Sequence, residues 1–172
     1  MEPKRLRALI IDDEEYARKN LIMMLDDFCP EIEVIGEASG KEQAKALITA
    51  SKPDVVFLDI RMPSGAEGFE LLEEVEEKNF LVVFVTAFKD YAIRAFNASA
   101  VYYLLKPIDI DDLRVAVEKL VEANNVFGQD PENYVTYFRS LRNLSDQLLR
   151  NKPNNRIAIS HTKGLKIVED NT

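Results

Sequence analysis

Ile10-Ile11-Asp12-Asp13-Glu14-Glu15 sets the reading of this chain. An apolar run, Leu6–Ile11, stops at two adjacent carboxylates. The residues that follow take up a helical period, with apolar positions at 17, 21, 24, 25 and 28. That pattern is a buried strand feeding a helix across an acidic turn. Three more apolar runs end in the same way: Val56-Phe57-Leu58 on Asp59, Val83-Phe84-Val85 on Thr86, and Tyr103-Leu104-Leu105 on Lys106-Pro107. Strands of a parallel sheet bring their carboxyl ends to one edge, so the four endings are expected to share one crevice.

Working outward, strand-like runs alternate with helix-period segments as far as about residue 124. The spacing predicts a helix over Glu14–Phe28, closed by Pro30, and an edge-like strand over Ile32–Ala38. Ser39 reads as the N-cap of a helix Lys41–Ala50, with Glu42 at the capping-box position. Val55–Leu58 is a strand, and a helix is expected around Phe69–Glu77. Phe80–Thr86 is the most continuously apolar run and reads as a central strand. A short helix Tyr91–Ala98, a strand Val101–Leu105 and a helix Asp109–Ala123, capped by Asp109, complete the pattern. Five such units predict an α/β fold: a flavodoxin-like, doubly wound, five-stranded parallel sheet of order 2-1-3-4-5, covered on both faces.

Residues 124–131 read as a linker. Beyond them, Tyr134, Tyr137, Leu141, Leu144 and Leu148 form a heptad-like stripe in a helix of about 132–150, which fits a short coiled-coil seam or an amphipathic helix docked on its own domain. Arg156–Ser160 and Leu165–Val168 flank a His161-Thr162-Lys163-Gly164 turn and suggest a hairpin-like tail. The expected organisation is thus a domain over 1–124, a connecting segment over 125–155 that carries the helix, and the start of a second unit over 156–172.

Bulk properties narrow the class. The net charge of −8 is concentrated in residues 1–124, where 15 basic residues face 25 acidic ones, a balance of −10. Such a domain repels a nucleic-acid backbone. No apolar run approaches the roughly 18 residues of a membrane span, so no membrane association is expected. The lone Cys29 has no partner for an internal disulfide, which suits a reducing, cytoplasmic setting, and it reads as a small buried or half-buried hydrophobe.

Asp12, Asp13 and Asp59 together repel one another and call for a cation. Mg²⁺ fits, since it takes oxygen ligands and pairs carboxylates with phosphate oxygens. Asp59 is the candidate nucleophile for a phosphoryl group, with the Lys106 ammonium and the Thr86 hydroxyl neutralising and orienting it. A carboxylate is ordinarily ionised at pH 7, so no general base is required.

Residues 6–124 resemble a response-regulator receiver domain in the order, spacing and chemistry of these endings. The resemblance implies that Asp12 and Asp13 hold Mg²⁺, with Asp13 the more direct ligand. It implies that Asp59 is a metal ligand and the phosphoacceptor, and that Arg61 lends its backbone carbonyl to the metal. It further implies that Thr86 and Tyr103 form a switch, and that the Lys106–Pro107 bond is cis. The implied partner is a sensor histidine kinase. The implied role is a phosphoacceptor signalling domain rather than an enzyme. Homodimerisation is expected through the face made by Tyr91–Ala98, Val101–Leu105 and Asp109–Ala123, or through the 132–150 helix.

Tyr91-Ala92-Ile93-Arg94-Ala95-Phe96 and Ala100–Pro107 are similar to receivers that precede LytTR-type DNA-binding domains. Arg156–Gly164 is similar to the opening of such a domain. This implies a transcription regulator of the LytR/AlgR type that contacts DNA only through a C-terminal domain largely absent here. Two departures stand out. Four residues rather than three separate Pro63 from Gly68, and Tyr102 stands where an acid is common. A haloacid-dehalogenase-like phosphatase would share the Asp nucleophile, but it needs Asp-x-Asp after the first strand, and here the acids are adjacent.

Overall fold

The computed structural model describes residues 3–60, 67–76, 79–87 and 102–127, the single helical positions Glu132, Thr136 and Arg139, and 156–161 and 164–169. The elements in chain order are β1 (Leu6–Ile11), α1 (Glu15–Phe28), β2 (Ile32–Ala38), α2 (Lys41–Ser51), β3 (Val55–Leu58), α3 (Glu67–Glu74), β4 (Leu81–Thr86), β5 (Tyr102–Leu105), α4 (Ile110–Phe127), β6 (Arg156–His161) and β7 (Gly164–Glu169). The first five strands form one sheet of order β2-β1-β3-β4-β5, with every pairing parallel. This is the flavodoxin-like order expected from the alternation. β6 and β7 form a separate antiparallel hairpin, with His161 opposite Gly164.

Every residue of β3 and of β4 is buried, as it must be for strands covered by helices on both faces. α1 packs beside α4, and α2 beside α3. Phe57, Phe80 and Phe84 fill the core, with Leu9, Leu25 and Leu71 among the residues around them. β2 is an edge strand and is buried only at its ends. It carries one extra residue, Ile35, where the register with β1 shifts between Ala8 and Leu9.

The register of the inner strands is set at their amino ends by Asp54. Its amide donates to the Arg7 carbonyl at 2.8 Å, its carboxylate accepts the Arg7 amide at 2.8 Å, and its carbonyl accepts the Leu81 amide at 2.9 Å. β1, β3 and β4 are thereby aligned so that Ile11 pairs with Leu58 and Leu58 with Phe84. A one-residue slip would turn each strand over and aim the terminal groups away from one another. Cys29 is buried, as expected.

The structure corrects four local expectations. The N-cap of α2 is Gly40, not Ser39, and no side chain caps it. Gln43, rather than Glu42, reaches back, accepting hydrogen bonds from the Ser39 amide at 3.0 Å and its hydroxyl at 3.2 Å. α3 begins at Glu67 and ends at Glu74, earlier than Phe69–Glu77; its Glu70 and Glu74 pair with Lys41 of α2 at 3.4 and 3.1 Å. α4 continues four residues past Ala123, through the start of the stretch read as a linker. Phe28, assigned to the buried face of α1, is 40% exposed, whereas Leu21, Met24 and Leu25 are buried. The expected helix Tyr91–Ala98 lies outside the described residues, as do Tyr134, Tyr137, Leu141, Leu144 and Leu148 of the expected stripe.

Asp109 does cap α4: its carboxylate accepts the Asp111 amide at 3.2 Å. Urea denaturation should therefore show Asp109→Ala losing about 1 kcal/mol, the usual worth of an N-cap side chain. Ser39→Ala should lose only a few tenths, because the cap position belongs to Gly40.

Candidate functional site

The strand register delivers the predicted groups to one edge. The Asp59 amide donates to the Ile11 carbonyl at 2.9 Å, which seats Asp59 beside Asp12. The Lys106 amide donates to the Thr86 carbonyl at 2.9 Å, which seats Lys106 beside the end of β4. The Lys106–Pro107 bond is cis. Ligand oxygens of Asp12, Asp13 and Asp59 all lie within 4.8 Å of one another. Asp12 and Asp59 are buried and Asp13 is exposed, so the cluster opens to solvent on the Asp13 side.

Lys106 spans the two buried acids. Its Nζ stands 2.6 Å from Asp12 Oδ2 and 3.1 Å from Asp59 Oδ2. Burial by itself pushes the ammonium pKa down. The hydrogen bonds and charges of Asp12 and Asp59 outweigh that and hold it above the ordinary lysine value. A raised lysine pKa stabilises the fold fully below the unfolded value. That contribution disappears as pH rises through the folded one, so the clasp is intact at neutral pH.

Asp12 is held by every polar group it has. Its amide donates to the Ala38 carbonyl at 3.1 Å, its Oδ1 accepts the Glu14 amide at 3.0 Å, and its carbonyl accepts Arg18 Nη1 at 2.7 Å. Thr86 is wholly buried at the end of β4. Tyr103 is half-buried on β5 opposite Phe84, with its ring stacked on Tyr102 at 6.0 Å between centroids. Burial, then the charge of Asp112, pushes the Tyr102 phenol up. Arg61 lies outside the described residues.

The donor set suits a hard divalent cation. Octahedral ligands about 2.1 Å from Mg²⁺ are separated by about 3.0–4.2 Å, a spacing these carboxylates reach with small side-chain movements. Three carboxylates against one ammonium leave two negative charges, which one divalent ion balances.

Sequence reading missed two residues that shape this edge. Gly68 sits against the end of β3, where its amide donates to the Ile60 carbonyl at 3.1 Å. A Cβ there would lie 2.6 Å from the Asp59 carbonyl oxygen and 2.9 Å from Ile60 Cα. Only its offset from Pro63 drew notice in the sequence. Arg18 carried no signal except its place, one turn beyond the acidic run.

Residues 8–118 match the family model for the response regulator receiver domain. The chain belongs to that family. Like other receivers it is a signalling domain rather than a classical enzyme. An uncharacterized response regulatory protein of Vibrio cholerae is 43% identical over 127 residues, 73% of this chain and 53% of the relative. The transcriptional regulatory protein BtsR of Escherichia coli is 42% identical over 117 residues, 67% of this chain and 48% of BtsR. The chain thus spans about half the length of the curated relatives it matches. Among solved structures, the receiver domain of AraT from Geobacillus stearothermophilus superposes with a TM-score of 0.60 at 30% identity, covering 73% of this chain and 98% of that one. The response regulatory domain of mrkE from Klebsiella pneumoniae gives 0.59 at 28%, covering 69% and 97%.

Two substitutions test the geometry. Gly68→Ala forces backbone at the end of β3 to move, so it should cost about 1–3 kcal/mol in denaturation, and a Mg²⁺ titration should show weakened binding. Lys106→Met strips the acids of their ammonium. Its melting temperature in chelator should fall below wild type, and added Mg²⁺ should recover more of the difference than it adds to wild type.

Proposed function

We propose that this receiver accepts a phosphoryl group on Asp59 from a sensor histidine kinase, in a Mg²⁺-dependent reaction. The observation that carries the reading is the cluster of Asp12, Asp13 and Asp59 within 4.8 Å, clasped by Lys106, at the carboxyl edge of a receiver sheet. Asp12, Asp13, Asp59 and the Arg61 carbonyl would hold the ion, which supplies charge neutralisation on the phosphoryl oxygens.

An Asp59 carboxylate oxygen attacks phosphorus, an O–P bond forms, and the P–N bond to the kinase imidazole breaks. Asp59 needs no base. Lys106, already within reach of Asp59, neutralises a phosphoryl oxygen from the opposite side. Thr86 offers a hydroxyl to another. Its inward movement, followed by that of Tyr103, is the proposed switch that carries the signal to β5 and α4.

The output is proposed to be control of transcription. The name of BtsR, a transcriptional regulatory protein, supports that output, and the resemblance of Arg156–Gly164 together with the β6–β7 hairpin supports a 156–172 segment that opens a LytTR-type DNA-binding domain. Homodimerisation through the face of the expected Tyr91–Ala98 helix, β5 and α4, or through the helix about 132–150, would couple the two. The proposed setting is the cytoplasm. Among the described residues no helix is long and apolar enough to cross a membrane.

Incubation with acetyl phosphate and Mg²⁺ should add one phosphoryl group to the wild-type chain by intact mass. Asp59→Asn should gain none, and chelator should abolish the wild-type adduct. An equal adduct on Asp59→Asn would remove Asp59 from the role.

A further inference from the structure

A second cation touches Asp12, at its backbone carbonyl rather than at the carboxylate that Lys106 holds. Arg18 projects from the first turn of α1, and its side chain is only 13% exposed. Its Nη1 donates to the Asp12 carbonyl at 2.7 Å, and its Nε donates to Glu37 Oε1 at 2.8 Å. One planar guanidinium therefore ties α1 to both the end of β1 and the end of β2. The bond to Asp12 is to backbone, not to the carboxylate.

The Asp12 carbonyl and the Asp13 amide belong to one rigid peptide plane. Fixing the carbonyl fixes the direction in which the chain enters Asp13. The Asp12 side chain has holds of its own, from the Glu14 amide and Lys106. Asp13 is exposed, and its position depends on the peptide that precedes it. Glu37 is set opposite Ile10 by the extra residue in β2, which brings its carboxylate to the guanidinium. Because Glu37 compensates the charge of Arg18, the arginine adds little net positive potential to the crevice. Its effect is geometric.

We propose that Arg18 is a positioning residue of the cation site, fixing the Asp12–Asp13 peptide so that the Asp13 carboxylate meets a small octahedral ion. This rests on the reading of Asp12, Asp13 and Asp59 as the cation site. It has a consequence that neither charge nor overall stability would produce. Mg²⁺ demands near-ideal octahedral geometry, whereas Ca²⁺ accepts 6–8 ligands at longer and more variable distances. Loosening the peptide should therefore penalise Mg²⁺ selectively. A charge-assisted hydrogen bond to backbone is worth enough to shift an affinity by about 10-fold.

Calorimetric titration of the metal-free chain with Mg²⁺ and, separately, Ca²⁺ tests this. Arg18→Ala should lose about 10-fold in Mg²⁺ affinity and less than about 2-fold for Ca²⁺. Arg18→Lys, which cannot serve both partners with one fork, should recover only part of the loss. Glu37→Met keeps the bond to Asp12 but removes the acceptor for Arg18 Nε, so the other edge of the guanidinium is freed; the lost acidic charge weakens both ions alike, and the Mg²⁺-selective part is the readout. This variant should show a smaller Mg²⁺-selective loss and covers the case in which Arg18→Ala does not fold. Equal losses for both ions, or a gain for both from removing a positive charge, would overturn the positioning role while leaving the cation site in place. Absence of Mg²⁺ binding by the wild-type chain would overturn the site and this role together.

Discussion

Two buried carboxylates within 4.8 Å of each other repel, and Lys106 is what allows the sheet to hold them there. At an effective dielectric of about 20, the repulsion of such a pair is about 3 kcal/mol or more. Nothing in the apolar core offsets it. Among the described residues, the ammonium of Lys106 at the end of β5 offsets it, together with the Glu14 amide on Asp12. The parallel sheet is what makes the arrangement possible: β1, β3 and β5 point the same way, so acids and lysine emerge at one edge. The clasp neutralises only part of the acids' charge, and the remaining charge suits a divalent ion.

Much of the rest serves that edge. Asp54 aligns β1, β3 and β4 at their opposite ends, so that Asp12 and Asp59 emerge side by side. Gly68 lets α3 approach the end of β3 without a Cβ that would push on the Asp59 backbone. The extra residue in edge strand β2 places Glu37 where it meets Arg18. Each of these contacts joins separate elements of the fold. Each acts through backbone rather than through the acidic groups themselves.

That division explains what was legible in the sequence. Strands buried on both faces are unbroken apolar runs, so β1 and β3 can be read to the residue, and the polar group that ends each run marks the crevice. Asp109 was legible as a cap because a cap acts within its own turn. The α2 cap was not, because Ser39 and Gly40 both fit the position and only the backbone path chooses between them. The pairing of Lys41 of α2 with Glu70 and Glu74 of α3 escaped for a different reason: it crosses elements. Arg18 escaped most completely. It is an ordinary charged residue on an amphipathic helix until the fold puts the Asp12 carbonyl and Glu37 within its reach.

The most direct test is where a divalent ion goes. Mn²⁺ takes oxygen ligands much as Mg²⁺ does and can be located by anomalous scattering. Crystals of the chain grown with Mn²⁺ should show one strong anomalous peak among the carboxylates of Asp12, Asp13 and Asp59, with Lys106 Nζ drawn off Asp12. A peak elsewhere, or none with Lys106 still bridging Asp12 and Asp59, would contradict the account.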